Sequence, residues 1–139
     1  MTYATQADIE ARYPGELTQA GPKDSTGALD EEAVAVALSA ADDPIDGALR
    51  TIGWTVPLTA PVPAWVKNLA VDMALYLATP TVLASQDDFN DRRVRYDTAL
   101  KTLADIAAGR LIPPPLTDVA SSSGVFVTSA PRQFGRGVL

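Results

Sequence analysis

Carboxylates are the residues of this chain whose types and spacing could support chemistry. They form two clusters with the spacing of a helical turn, Asp42-Asp43 with Asp46 and Asp87-Asp88 with Asp91. Such clusters can hold Mg²⁺ or supply a general acid and a general base. Most of them only solvate a helix end, and this chain has no histidine and no glycine-rich phosphate loop to complete a site. We therefore expect no catalytic residue, with a small metal- or ligand-binding protein or a hydrolase-type enzyme that uses these aspartates as the alternative.

A third acidic segment, Asp24 to Asp30, could be mistaken for a calcium loop because it lies between two predicted helices. Counted from Asp24, the fifth residue is Ala28 and the twelfth is Ala35, where such a loop needs an oxygen ligand and a bidentate glutamate. The segment therefore predicts an acidic helix cap, and we expect neither a metal nor a cofactor.

Composition excludes several chemistries. The chain of 139 residues contains neither cysteine nor histidine, so it has no thiolate nucleophile, no disulfide and neither of the two commonest transition-metal ligands. Its formal net charge of -6 argues against a protein whose main task is to grip nucleic acid through phosphates. The same charge suits a surface past which DNA slides without binding. Lys67 and Asp72 interrupt the most apolar stretch, so no membrane span is expected.

Two further groups have a functional and a structural interpretation. The cluster Arg92-Arg93-Arg95 could bind phosphate or a partner's carboxylate, but its spacing from Asp88 and Asp91 favours a solvated helix face with ion pairs four residues apart. Trp54 and Trp65 could anchor an interface, although a tryptophan on an apolar helical stripe more often belongs to the core.

Hydrophobic periodicity predicts an all-α protein, a small antiparallel bundle of about four helices. The first helix runs from Gln6 to about Arg12, with Thr5 as its cap. The second follows the acidic residues 30–32, and Pro44 within it predicts a kink or two shorter helices split at Asp42-Asp43. Its apolar face contains Val34, Ala37, Leu38, Ala41, Ile45 and Leu49.

The third and fourth helices are predicted to form an αα-hairpin packed against the second. The third follows Pro63 and ends at Thr79-Pro80. The fourth begins at Ser85 or Asp87 and runs to about residue 108, before the stop at Gly109. Their predicted buried stripes are Trp65, Leu69, Met73 or Asp72, Tyr76 and Leu77 in the third helix, and Phe89, Tyr96, Leu100, Leu103 and Ala107 in the fourth.

A proline-rich apolar strap, Trp54–Pro63, connects the second and third helices. Each proline fixes its own φ and pushes the preceding residue into an extended conformation, so the strap can bury side chains without forming a helix. Because the strap is apolar and preorganised, Pro57 and Val62 are candidates for contact with a neighbouring subunit.

The character of the chain changes after residue 112, and we divide it into a helical domain, 1–112, and a proline-led extended arm, 113–139. Pro113-Pro114-Pro115 is a stiff spacer and Ser121-Ser122-Ser123-Gly124 a flexible one. The arm has no core of its own, and its β-prone segment could add a short strand to a partner. The candidate partner-binding residues of the arm are Val125, Phe126, Val127, Arg132, Phe134, Arg136 and Leu139.

Several short motifs occur in a specific order: residues 1–9, residues 40–49 with Ile45-Asp46-Gly47, Pro57-Leu58, Val62-Pro63, residues 69–74, Tyr96-Asp97 and residues 103–109. Their order and spacing resemble the small Mu-like phage neck proteins, a family found in the head-assembly clusters of tailed phages and prophages. The similarity covers roughly residues 1–112, with a looser likeness at 131–134. It departs from the family at Pro44 and at the acid-poor turn after Asp24.

The resemblance implies a head-to-tail connector, an adaptor that stacks on the portal vertex of the capsid. The implied partners are the portal protein, a tail-side stopper or tail-completion protein, and further copies of the chain in a ring of about twelve around the DNA channel. It implies no enzymatic activity and no specific DNA binding. The implied location is the virion neck, after assembly in the cytoplasm of the host bacterium.

Overall fold

The computed structural model describes residues 2–59, 61–80 and 86–114. Within these ranges the regular elements are five helices and no strand. The helices α3, α4 and α5 pack pairwise on one another, and α1 lies against both α3 and α4. The predicted all-α bundle is confirmed, including the hairpin of the last two helices against the long one. The elements are α1 (Gln6–Arg12), α2 (Glu16–Ala20), α3 (Glu31–Thr51), α4 (Ala64–Ala78) and α5 (Gln86–Ala107).

The first helix begins where the sequence predicts. The Thr5 side chain accepts a hydrogen bond from the Asp8 backbone N–H, and the Asp8 carboxylate accepts one from the Thr5 backbone N–H at 2.8 Å. This reciprocal capping box satisfies two of the backbone donors that a helix start leaves free. The short helix α2 is not predicted from the sequence. It follows Gly15, whose backbone is in the left-handed conformation, and it buries Leu17 and Ala20.

The helix α3 is continuous through Pro44, so the predicted split at Asp42-Asp43 is wrong. A proline inside a helix removes one backbone hydrogen bond and costs about 3 kcal/mol in an isolated helix. Here Ala41 and Ile45, on the two sides of the proline, are both fully buried in the core. Burial of one uninterrupted apolar face offsets the lost hydrogen bond, and the whole predicted face of this helix is buried.

The helix α4 follows Pro63, which occupies the N-cap, and stops at Thr79 as predicted. Its predicted buried stripe is only partly right, because Leu77 is 41% exposed and Trp65, Leu69 and Tyr76 are half-buried at the edge of the core. Since α1, α3 and α5 all pack on α4, burial extends around most of its circumference. Its buried residues are Val66, Ala70, Val71, Met73, Ala74, Leu75 and Ala78.

The helix α5 ends at Ala107, and Gly109 follows with a φ of 79°, the left-handed conformation that commonly terminates helices. Ser85, one of its two predicted first residues, lies outside the described residues. Of the predicted stripe, Leu103 is buried, and Phe89, Tyr96, Leu100 and Ala107 are half-buried. The residues buried in addition are Arg92, Ala99 and Ile106.

The prediction that Arg92 belongs to a solvated face is wrong, because this arginine is only 3% exposed. Its guanidinium donates to Thr79 Oγ1 at 2.7 Å, to the Glu16 carbonyl at 3.1 Å and to the Ala20 carbonyl at 3.4 Å. One cation therefore connects α5 to α2 and to the end of α4. Its neighbour Arg95 is bidentate to the Glu16 carboxylate and so supports the same junction.

We expect Arg92→Met to lower the free energy of unfolding by about 2–4 kcal/mol, because it leaves three acceptors in two segments, α2 and the end of α4, without their donor. The matched control is Arg93→Met, which removes an exposed guanidinium 3.8 Å from Asp97 and is expected to change stability by less than about 0.5 kcal/mol. Urea unfolding followed by circular dichroism measures both. Equal losses in the two variants would show that the junction is not stabilised by Arg92.

Candidate functional site

In the first carboxylate cluster, Asp42 and Asp46 accept hydrogen bonds from Tyr3. The Asp42 side chain is buried and accepts from the Tyr3 backbone N–H at 3.2 Å, and the Tyr3 hydroxyl donates to Asp46. The same hydroxyl accepts a hydrogen bond of 2.8 Å from the backbone N–H of Leu58 in the strap. These two aspartates therefore join the N-terminal segment, α3 and the strap.

The environment of this junction changes the acidity of its members. Burial, with a further contribution from the nearby Asp46 charge, raises the pKa of Asp42 to about 6, although the Tyr3 N–H opposes the shift. Burial and the hydrogen bond to Asp46 raise the pKa of Tyr3 to about 12. Both shifts follow from the enclosure of charge-bearing groups between packed elements.

The other acidic groups take structural roles or lie on the surface. Asp24 accepts from the Thr26 and Ala28 backbone N–H groups at 2.8 and 3.1 Å, which closes a turn, and Asp30 caps α3. The residues Asp87, Asp88 and Asp91 are exposed on the first turns of α5. Among the described residues, no three carboxylates converge in an arrangement suited to a metal ion.

A polar network crosses the surface where α1, α2, α4 and α5 meet. The Tyr13 hydroxyl donates to Asp72, and Arg12 Nε lies 3.3 Å from the same carboxylate. The Arg95 guanidinium stacks 4.2 Å from the centre of the Tyr13 ring while it binds Glu16. Because these charges are paired with one another, the network fixes the positions of the short helices and offers no free catalytic group.

The described surface has a different kind of candidate site, an apolar groove at the end of α5. We call it the tryptophan groove and define it by Trp54, Trp65, Ile106, Leu111, Ile112 and Pro113. It consists of two adjoining hollows of about 380 and 280 Å³, which share Ile106 and residues 111–113 as a common wall. Its floor contains both tryptophans, packed edge to face with ring centres 6.0 Å apart.

Local hydrogen bonds position the exposed wall of this groove. After α5, the Arg110 and Leu111 backbone N–H groups both donate to the Asp105 carbonyl, at 2.9 and 3.1 Å. The Asp105 carboxylate binds the Arg110 side chain at 2.9 Å, and hydrogen bonds from Lys101 and Arg110 hold the pKa of Asp105 below its usual value. The turn thus presents Ile112 with 86% of its surface exposed.

The residues predicted to bind partners fall into two groups. In the strap, Pro57 is exposed and Val62 is half-buried against the core, beside the buried Leu58. The seven arm residues from Val125 to Leu139 lie outside the described residues. Both tryptophans pack against the core, which agrees with one of their two sequence interpretations, and both also line the groove. Their role in an interface stays a prediction.

Sequence reasoning missed the wall of the groove. The signal was present in Leu111-Ile112, an apolar pair placed after the helix stop at Gly109 and before the prolines. The pair is too short to show periodicity, and only the fold brings it beside Trp54 and Trp65. Apolar side chains in such an exposed position are typical of an interaction surface.

Comparison with known proteins identifies a family. A model of the family described as bacteriophage Mu, Gp36 matches residues 3–128. The match covers most of the chain, including all five helices and the first part of the arm. The search among curated proteins yields no match. Within the described ranges, none of the helices combines the length and hydropathy that crossing a membrane requires.

The junction at Asp42 predicts a specific dependence of stability on pH. The pKa of Asp42 is higher in the folded chain, about 6, than its ordinary value of 3.8, so the folded state retains this proton longer than the unfolded state. The contribution of Asp42 to the free energy of unfolding is therefore at its maximum below about pH 4 and is lost as the pH rises through 6. By pH 7 we expect a loss of about 3 kcal/mol.

The variant Asp42→Asn keeps an oxygen acceptor for the Tyr3 N–H but carries no charge. We expect it to unfold like the wild type at pH 4 and to be more stable by about 3 kcal/mol at pH 7. Urea unfolding at both pH values measures the difference, with the exposed neighbour Asp43→Asn as control. A constant difference between Asp42→Asn and wild type across this range would contradict the assignment.

Proposed function

The chain belongs to the bacteriophage Mu Gp36 family, and from that premise we propose that it is a structural head-to-tail connector. In this proposal several copies form a ring on the portal vertex, around the channel through which DNA passes. The ring binds the portal protein on one side and a tail-side stopper or tail-completion protein on the other. The family match over residues 3–128, together with the resemblance of its motifs to the neck proteins, is the observation that carries the proposal.

The interior of the fold supports a static role rather than an enzymatic one. The buried ionic groups with the most enclosed positions, Asp42 and Arg92, hold the N-terminal segment and α2 in place. Groups committed to such junctions cannot exchange protons or bind substrate without loosening the fold. We therefore propose that the protein acts by binding partners and not by catalysis.

The surface supports the same proposal. The tryptophan groove exposes apolar side chains beside the point at which the described chain ends, Pro114, and the arm begins. An adaptor needs such surfaces because it has to bind neighbours on several sides. The acidic chain, with a net charge of -6, suits a channel that lets DNA pass without holding it.

The proposal is tested by mixing the purified full-length chain with assembled portal protein from the same phage and imaging the particles by electron microscopy. We expect a ring of about twelve copies seated on the portal, because a ring that matches the portal inherits its symmetry. An unrelated ring-shaped protein serves as the control for non-specific binding. A chain that does not bind the portal would overturn the proposal.

A calorimetric experiment tests the alternative of a metal-binding protein or hydrolase. Titration with Mg²⁺ or Mn²⁺ is expected to give no saturable heat with either the wild type or the double variant Asp87→Ala/Asp91→Ala. A saturable heat in the wild type that the double variant lacks would favour the alternative and count against a purely structural role.

A further inference from the structure

The tryptophan groove has a wall that the other described residues leave exposed. Ile112 is 86% exposed and Leu111 is 44% exposed, although Ile106 beneath them is fully buried. Apolar side chains of this size are costly to leave in water, and here they line two hollows whose walls are mostly apolar, although Arg12, Asn68, Asp72 and Thr102 also line the second. This arrangement calls for an occupant of similar chemistry.

We propose that the tryptophan groove of one subunit receives the segment Val125-Phe126-Val127 from the arm of a neighbouring copy. The inference rests on the proposed function, since it supplies the contact between successive subunits of the ring. It commits to one donor, the arm of a second copy, and to one acceptor, the groove at the end of α5.

The chemistry of the arm matches that of the groove. Residues 119–131 carry no charged side chain, and the apolar triplet lies in the middle of this stretch. In an extended segment the side chain of Phe126 points to one side and those of Val125 and Val127 point to the other. The aromatic side chain can therefore enter a hollow of the groove as an anchor. Aromatic anchors of this kind contribute most of the affinity of many interfaces.

The indole N–H of Trp65 is a second reason to expect an extended chain segment in the groove. Its indole Nε1 is buried and finds no hydrogen-bond acceptor among the described residues. A buried donor without a partner is unusual in folded proteins and is destabilising. The polar side chains that line the same hollow, those of Asn68, Asp72 and Thr102, do not accept from this N–H, and a backbone carbonyl of an extended segment in the groove is a further acceptor.

The place where the described chain ends favours docking of the arm into the groove of a neighbouring subunit over docking into its own groove. The described chain ends at Pro114, in the wall of the groove, and residues 115–124 separate this point from Val125. Ten extended residues span at most about 33 Å, which exceeds the radius of a domain of this size. The sequence Pro113-Pro114-Pro115 is a stiff spacer, so a return to the same groove would require a reversal within the next nine residues.

Such a contact has a defined symmetry. The donor segment and the acceptor groove are different surfaces, so the contact is heterologous and propagates from each subunit to the next. The assembly closes into a ring when a whole number of these subunit-to-subunit rotations adds up to 360°, as the proposed connector requires.

The absence of cysteine from the chain allows a direct test of this geometry. The full-length double variant Ile112→Cys/Phe126→Cys is oxidised with diamide and separated without reducing agent, both alone and after mixing with assembled portal protein. We expect a ladder of linked oligomers, with at least about tenfold more product than the control pair Val94→Cys/Phe126→Cys, because docking raises the local thiol concentration. Val94 is a suitable control because it is 63% exposed and lies outside the groove.

The products separate the possible outcomes. A monomer linked to itself would show that the arm occupies its own groove and would overturn the inference, as would equal yields in the two pairs. Rings on the portal without the Ile112–Phe126 link would overturn the inference and leave the proposed function standing. The linked ladder without portal binding would support the inference while the proposed function fails.

A second measurement avoids covalent trapping. In sedimentation of the full-length chain, we expect Ile112→Asp and Phe126→Asp each to weaken self-association by at least about tenfold, because each places a charge in an apolar contact. A mixture of the two variants retains one intact donor and one intact groove, so it should form a dimer that grows no further. Val94→Asp and Ser122→Asp are the controls for charge alone. A mixture that stays monomeric while the wild type associates would contradict the inference.

Discussion

Burial of α4 along most of its circumference is the constraint on which the rest of the structure depends. Its core residues include Ala70, Ala74 and Ala78, spaced four apart, and small residues at this spacing let neighbouring helices approach closely. Covering such a helix takes more than one partner, so α3, α5 and the short α1 are drawn around it. Each large side chain that this removes from water contributes about 1.5–3 kcal/mol.

Elements that meet around α4 come from distant parts of the chain, and buried polar groups secure the places where they join. Tyr3 connects the N-terminal segment to α3 through Asp46 and to the strap through Leu58. Arg92 connects α5 to α2 and to Thr79. In both junctions a polar side chain satisfies backbone groups that would otherwise be buried without partners. Two of the aspartates that first suggest catalysis, Asp42 and Asp46, therefore stabilise such a connection.

The packing around α4 also decides where the molecule leaves apolar surface uncovered. The turn at Gly109 ends α5, and the following residues pass beside Trp54 and Trp65 without enclosing them. The result is an acidic bacteriophage protein with an apolar groove beside Pro114, the last described residue. A body of this kind suits a particle whose parts must bind several neighbours in a fixed geometry, because preorganised surfaces lose little entropy when they associate.

Elements governed by near neighbours in the chain could be predicted well. The cap at Thr5, the stop at Gly109 and the end of α4 at Thr79 depend on residues within one turn, and these predictions are confirmed. The apolar face of α3 followed from its period alone. The motifs of the body also carried the resemblance to a phage family, which the match over residues 3–128 confirms.

Predictions that required knowing which elements would pack together were less successful. The sequence by itself determined an all-α bundle and most of its helix ends to within a few residues, because caps, prolines and periodicity act locally, and the order of its motifs determined its phage family. Only the tertiary structure decided that Pro44 stays inside one helix, that Arg92 is buried and that Leu111 and Ile112 form the wall of a groove. The physical reason is that burial and charge pairing depend on neighbours that are distant in sequence, and only the packing around α4 brings those neighbours together.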